Sequence, residues 1–230
     1  MNEVNAQYNV ASPGSLPIKV AAFQRRRMFD AFLGECALPD PNKTILDIGV
    51  TSDRSYDHSN YLEAWYPHKD KVTASGIDEA DFLEEIYPGI TFVKADALDL
   101  PFPNQAFDVV HSSAVIEHVG GYKNQSRMIS ECARVARSYF FITTPNRWFP
   151  VEFHTVLPLV HWLPKDVFRA ILKRTGRSFF AEESHLNLMS GRDLLEAAKI
   201  ACERDFDLAL RTANLLNWPS NLLLVGRRRS

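Results

Sequence analysis

Three cysteines in 230 residues, none of them in a CxxC pair, give no basis for a disulfide framework or a thiolate zinc site. Cys36, Cys132 and Cys202 each fall in apolar, helix-like contexts and are expected as reduced core thiols, which suits a cytoplasmic protein. An excess of charge of either sign is missing too: the formal net charge is -2, so no global field draws the chain onto nucleic acid. No apolar run approaches the ~20 residues of a membrane span, and the first 17 residues are polar, without an apolar signal core. Glycine is scarce where it would be most telling. The stretch ILDIGVTSDRS, residues 45–55, reads as a buried strand running into a ligand-binding turn, yet it carries a single glycine, Gly49.

What is present is a chain with 46% apolar residues, enough to bury one sizeable core. Ile18, Ala22, Phe29, Phe32 and Cys36 recur at steps of about three and four with Arg25 as the one interruption, and Pro17 stands where a helix can begin. KTILDIG, KVTASGID, ITFVKAD, FDVVHSS and YFFITTPN read as short buried strands, and NYLEAWY and NQSRMISECARVARS as helices between them. Strands alternating with helices imply right-handed crossovers and an open, mostly parallel α/β sheet covered on both faces. Its ligand is expected at the carboxyl ends of the strands, where Asp78, Asp96, Ser112 and Ser113 lie. After Pro150 the rhythm breaks into a segment rich in Phe, Leu, Trp, Pro and His, with one short helix over residues 167–172. Ser190-x-x-Asp193 then predicts a capping box for a helix through Ile200, and FDLALR and NLLLVGR a closing strand pair joined by a connection containing Asn, Trp and Pro.

ILDIG, VTASGID, FVKADALDLPF, FDVVHSSAVIEHV and FITTPN, in this order, resemble the motifs of the class I S-adenosylmethionine-dependent methyltransferases over roughly residues 43–146 plus the closing strands. The resemblance implies a Rossmann-like seven-stranded sheet with its last strand inserted antiparallel, S-adenosyl-L-methionine as cofactor, and methyl transfer from its sulfonium. It divides the chain into an N-terminal helical segment (1–42), a cofactor-binding core (43–150), a helical and loop cap (151–189) and a closing helix and strand pair (190–230).

Chemistry points the same way at the loop. A dinucleotide needs bare backbone N–H groups for its pyrophosphate and an acid ~20 residues on for its ribose; here the second and third glycines are missing and Asp78 comes some 30 residues after Gly49. S-adenosylmethionine carries no phosphate, which lowers the demand for glycine. Asp47, Gly49, Thr51 and Ser52 are expected around its amino-acid tail, Asp78 on its ribose and Asp96 near its adenine amino group, with Ala97 and Ser112 also counted among the cofactor-binding residues. The family usually keeps G-x-G where Val50-Thr51 stands. That departure leaves open a second function, a non-catalytic binding protein that retains the fold with a weakened cofactor site. Asp108 is expected to be structural, and Asp53, Asp57 and His58 to form a solvated turn.

Glu117 and His118 follow the fourth strand at the edge of the expected methyl-transfer cavity. In branches of the family that methylate catechol-type or RNA 2'-hydroxyl acceptors, E-x-x-E-H supplies metal ligands with a later histidine; here Ala114 replaces the first glutamate, so no metal is expected. Two nitrogens and one carboxylate from His118, His154 and Glu117 would suit zinc better than magnesium. These three are the candidate catalytic residues, with His118 or His154 orienting or deprotonating the acceptor. An aromatic cap bearing Glu152, His154, His161 and Trp162 suits a small or lipid-linked organic acceptor, methylated at oxygen, and is the segment through which peripheral membrane contact is expected. Nucleic acid is not an expected partner, and the oligomeric state has no signature in the sequence.

Overall fold

Short apolar runs bounded by polar turns become strands when both faces are covered, and five such runs form the parallel part of one sheet. The computed structural model describes residues 15–54 and 59–229, so the expectations for residues 1–14 and for Asp57 and His58 lie outside the described residues. Helix α1 (Leu16–Glu35) is followed by β1 (Ile45–Ile48), α2 (Tyr61–Trp65), β2 (Val72–Gly76), α3 (Phe82–Ile86), β3 (Thr91–Lys94) and β4 (Phe107–Ser113). Next come α4 (Tyr122–Val135), β5 (Ala136–Pro145), α5 (Lys165–Arg174), α6 (Gly191–Cys202), β6 (Phe206–Leu215) and β7 (Trp218–Arg228).

The strand order is β3-β2-β1-β4-β5-β7-β6. Strands β1 to β5 pair in parallel, whereas β7 runs antiparallel to both β5 and β6. The order reverses between β1 and β4, which opens a crevice at their carboxyl ends. This is the Rossmann-like methyltransferase topology implied by the motifs.

Alternation along β1 distributes the core. Leu46 and Ile48 face α4 and α6, packing with Val110, Phe140 and Ile142, while Ile45 faces α1 and α2, packing with Phe29, Phe32, Val109 and Phe141. Phe32 is fully buried, its ring 5.4 Å from Phe141 and 4.7 Å from His111. Truncating a core phenylalanine of this kind costs about 3–5 kcal/mol, so α1 is anchored on the sheet chiefly through this residue and Phe29. Helix α6 opens with the expected capping box: the Ser190 hydroxyl accepts from Asp193 N, and Asp193 accepts from Ser190 N.

Two elements differ from the sequence expectations. Strands β6 and β7 meet in a two-residue turn, Leu216-Asn217, with φ of 49° and 63°, and Trp218 and Pro219 belong to β7 rather than to a longer connection. Helix α3 has no strong apolar period of its own; only Leu83 is buried. Between β5 and α6 the cap adds α5 and the 3-10 turns Val160–Trp162 and Ser178–Ala181, and builds its own small core from Phe168, Leu172, Phe180 and Leu186.

Candidate active site

The loop after β1 is shaped by hydrogen bonds more than by glycine. Gly49, with φ of +91°, is the exception: a Cβ there would lie 2.1 Å from Val115 Cγ2. Gly49 N and Val50 N both donate to Ser75 O, at 2.7 and 3.0 Å. Thr51 N donates to Asn60 Oδ1 at 2.9 Å, and Asn60 Nδ2 donates back to Thr51 O at 3.0 Å. On β2, a Cβ at Gly76 would come within 2.7 Å of Val50 O, so the two strand ends approach as backbone against backbone. Three successive N–H groups of the loop are therefore already bonded within the protein, which removes the cradle that a pyrophosphate requires.

Beneath this loop lies a buried polar row. Asp47 Oδ1 is 2.6 Å from His111 Nδ1, and His111 Nε2 is 2.9 Å from the Tyr61 hydroxyl. Burial lowers His111 to about 4, so the ring is neutral, donating at Nδ1 to Asp47 and accepting from Tyr61 at Nε2. Burial likewise raises Asp47 to about 7, and burial together with the charge of Asp47 raises the neighbouring Glu63 well above the ordinary carboxylate range. Glu63 is accordingly the protonated member of the pair. The sequence expectation put Asp47 at the cofactor's amino-acid tail; its carboxylate is instead engaged with His111, on the face of β1 covered by α1 and α2.

A cavity of about 530 Å³ opens at the carboxyl ends of β1, β2 and β4. Of the expected cofactor residues, Gly49, Thr51, Asp96 and Ala97 line it, as do His118 and His154. Ser112 does not: its hydroxyl donates to Ile48 O between the strands, while the adjacent Ser113 and Ala114 face the space. Ser52 and Asp78 are not among the lining residues; the Ser52 hydroxyl is 3.5 Å from Asp78 Oδ2, and their chain neighbours Thr51 and Ile77 line the cavity. Asp96 forms a local turn, its Oδ1 accepting from Leu98 N at 2.9 Å. Asp108, as expected, is structural: it accepts from Thr44 and pairs with Arg137, contacts that outweigh burial and lower its pKa.

The sequence did not point to α1 as part of this wall. Gln24, Arg25 and Met28 line the cavity, and the signal was present as the single charge interrupting the apolar face of the helix. Asn221 of β7 and Phe153 of the cap complete the enclosure from two further directions.

Two of the three candidate catalytic residues, His118 and His154, line the same cavity. Glu117 and His118 lie on the 3-10 turn Ile116–His118 that follows β4, and His154 lies in the cap. His118 Nδ1 is 2.6 Å from His185 O, a carbonyl that can only accept, so Nδ1 carries the proton. His154 Nδ1 is 2.8 Å from Glu152 Oε1, and Glu152 also accepts from His154 N and Thr155 N. Burial would raise Glu152, but the charge of His154 and these hydrogen bonds bring it down to about 2. With both Nδ1 atoms donating, the two Nε2 atoms face each other at 3.1 Å. Burial and then the charge of His154 push His118 down to about 3, whereas in His154 the Glu152 carboxylate outweighs burial and raises the pKa. Of the two rings, His154 is thus the one that favours a further proton. Glu117 is fully buried; its Oε2 accepts from Thr144 Oγ1 at 2.9 Å and its Oε1 lies 3.9 Å from His118 Nε2. Burial raises its pKa. His161, the other buried cap histidine, donates to Phe149 O at 2.7 Å and is structural.

Residues 68–141, from the approach to β2 through most of β5, match the family model described as a methyltransferase domain. That segment matches a methyltransferase domain, and the sheet has the methyltransferase fold. The match supports an enzyme of methyl transfer with S-adenosylmethionine as its cofactor. Among solved structures, the methyltransferase is similar to magnesium protoporphyrin IX methyltransferase of Synechocystis, determined with S-adenosylhomocysteine bound, at 16% identity over 97% of this chain and 92% of the other, with a TM-score of 0.58. An S-adenosylmethionine-dependent methyltransferase of Mesorhizobium loti is 16% identical over 84% of this chain and 94% of the other, with a TM-score of 0.57. One from Thermotoga maritima is 16% identical over 93% and 92%, with a TM-score of 0.55. At these identities the likeness is one of fold. No curated protein matches this chain by sequence. The methyltransferase's own residues fit a phosphate-free cofactor: the cavity has the size of a drug-like ligand site, acids stand at the ends of β2 and β3, and the loop N–H groups that a phosphate would need are spoken for.

Proposed function

We propose that the protein transfers a methyl group from S-adenosylmethionine to an oxygen of a small or lipid-linked organic acceptor enclosed between the sheet edge and the cap. The observation that carries this reading is the pair His118 and His154, whose Nε2 atoms meet 3.1 Å apart on the wall of the same cavity that Gly49 and Asp96 line. When bound, the cofactor supplies a methyl group on a positively charged sulfur, and in-line transfer needs alignment more than side-chain chemistry.

The chain's residues divide that work by position. Gly49, Thr51 and Arg25, which line the cavity, surround the amino-acid tail, with Ser52 next in the chain to Thr51 and Arg25 supplying positive charge opposite the carboxylate. Asp78 takes the ribose hydroxyls, and Asp96 with Ala97 borders the adenine. Asp47 and Ser112 act one layer back, holding β1 and β4 in register. His118 and His154 meet the acceptor's oxygen and orient it or receive its proton, with Glu117 buried beside His118, while Phe153 and the cap exclude water. Leu159 and Leu163 of the cap, and Trp148 just before it, are exposed apolar side chains, which suits an acceptor or surface of lipid character.

Calorimetry with S-adenosylhomocysteine tests the cofactor half. Transfer of labelled methyl to a panel of phenols, quinols and polyprenyl-linked sugars, compared with amine and thiol analogues, tests the acceptor half. Binding of S-adenosylhomocysteine with transfer to nitrogen or sulfur only would overturn the choice of oxygen.

A further inference from the structure

Three potential ligand atoms, one each from Glu117, His118 and His154, lie within 4.8 Å of one another. Their surroundings prepare them for an ion. Each imidazole has its Nδ1 hydrogen committed elsewhere, His118 to His185 O and His154 to Glu152, so both Nε2 lone pairs are aimed inward. A carboxylate behind one histidine and a backbone carbonyl behind the other are the partners that orient metal-bound imidazoles. Thr144 does the same for Glu117, binding Oε2 and leaving Oε1 directed to the cluster, where this fully buried oxygen has no hydrogen-bond partner. A shared proton satisfies the two nitrogens but leaves Glu117 Oε1 unmatched, a costly state for a buried oxygen. A divalent cation would satisfy all three atoms at once.

Against the metal-free expectation from the missing glutamate at Ala114, we propose that Glu117, His118 and His154 bind a transition-metal ion of the zinc type, with its remaining coordination position open to the cavity. Two nitrogens and one oxygen do not suit magnesium or calcium, which take oxygen ligands in larger number. Three protein ligands with an open fourth position are the arrangement of zinc sites that accept a water or a substrate oxygen. The ion deepens the proposed function by placing the acceptor's oxygen at that position, and it would tie the cap, through His154, to the turn after β4. Its test reads metal rather than methyl transfer, so failure of the acceptor assignment leaves it standing and its own failure leaves the acceptor assignment standing.

The test is titration of the chelator-treated full-length protein with cobalt(II) as a spectroscopic probe, together with zinc content by elemental analysis. We expect one equivalent per chain, visible absorption of four- or five-coordinate intensity, and displacement of cobalt by zinc. Glu117→Gln, which preserves shape and the contact with Thr144, and His154→Ala should each weaken binding at least tenfold. Glu152→Gln should weaken it by about 10 to 100-fold through the orienting bond. His68→Ala, outside the cluster, should bind as the unaltered protein does. Circular dichroism confirms that each variant is folded, and Glu117→Gln alone decides if His154→Ala is not. The proposal is overturned if cobalt shows only the weak absorption of the six-coordinate ion, if no stoichiometric zinc is retained, or if folded Glu117→Gln binds as tightly as the parent.

Discussion

Asn60 holds the backbone of Thr51 from both sides, accepting from its N–H at 2.9 Å and donating to its carbonyl at 3.0 Å. This clasp gives the loop after β1 a defined shape without the second glycine usual for the class. Asn60→Ala leaves one N–H and one carbonyl without their partner, and should weaken S-adenosylhomocysteine binding by about 1–3 kcal/mol. Asn60→Asp, which keeps the acceptor and loses the donor, should fall between. Calorimetry on both variants checks this, and equal affinity in all three proteins would dismiss the clasp.

Asp78→Ala should weaken S-adenosylhomocysteine binding by roughly 1.5–3 kcal/mol, the worth of charge-assisted hydrogen bonds to ribose hydroxyls. The side chain lies 3.5 Å from the Ser52 hydroxyl, and its chain neighbour Ile77 lines the cavity. Unchanged affinity would mean that the ribose lies elsewhere along the sheet edge.

The buried acids make a prediction with a definite sign. Asp47 is raised to about 7 and Glu63 well above the carboxylate range, so as pH rises from about 4 the unfolded chain loses protons that the folded chain keeps. Their contribution to stability therefore falls with rising pH, for Asp47 until pH passes about 7. His111 has the opposite sign: being lowered to about 4, it contributes stability that is lost as pH falls from the ordinary imidazole value through that range. The two effects offset each other in mild acid, and the decline is steepest on the alkaline side. Glu63→Gln removes one raised acid while keeping a neutral group of the same shape. Urea melts between pH 6 and 9 should show a flatter slope for this variant than for the parent; parallel slopes would place the ionisation elsewhere.

Residues 151–189 should lose hydrogen-exchange rate when S-adenosylhomocysteine and an acceptor analogue are both bound, because Phe153, His154 and Ser184 line the cavity from the cap side. The cap rests on a small core of its own, separate from the two that cover the sheet, which favours independent opening. Exchange indifferent to both ligands would reduce the cap to a fixed wall.

Trp148, Trp162 and Trp218 form a surface ladder, with ring centroids 6.3 and 6.4 Å apart. Trp148 and Trp218 are 48% and 47% exposed, an unusual display for residues that membranes accept at their interface. Intrinsic fluorescence should shift to the blue on addition of phospholipid vesicles, and the shift should shrink in Trp148→Ala. An unchanged spectrum at saturating lipid would confine the cap's contacts to the acceptor itself.

The sheet was legible because each of its first five strands is a compact apolar run that only one period explains. The capping box of α6 was equally local. Less was legible at the site, for reasons of geometry. Asp47 occupies the strand position expected of a ligand-binding acid, but the partner that claims it, His111, comes from a neighbouring strand 64 positions away. Arg25 reaches the cavity only because α1 packs across the sheet edge, a tertiary fact invisible in helical periodicity. Glu117, His118 and His154 were grouped from the sequence, and their ligand atoms do lie within 4.8 Å of one another; that two of them share a turn after β4 was legible, whereas the approach of His154 depends on how the cap folds back.

The order of strands has a bearing on how the molecule is assembled. Strand β7 is the last in sequence to enter the sheet, yet it lies inside it, pairing with β5 on one side and providing the sole neighbour of β6 on the other. Until it is in place, β5 offers a bare hydrogen-bonding edge flanked by Phe140, Phe141 and Ile142, and β6 has nothing to pair with. Such an edge recruits strands from other molecules. The two-residue turn at Leu216-Asn217 shortens that interval by delivering β7 against β6 as a hairpin, so that the edge is closed by a preformed ribbon instead of a lone strand in search of its register.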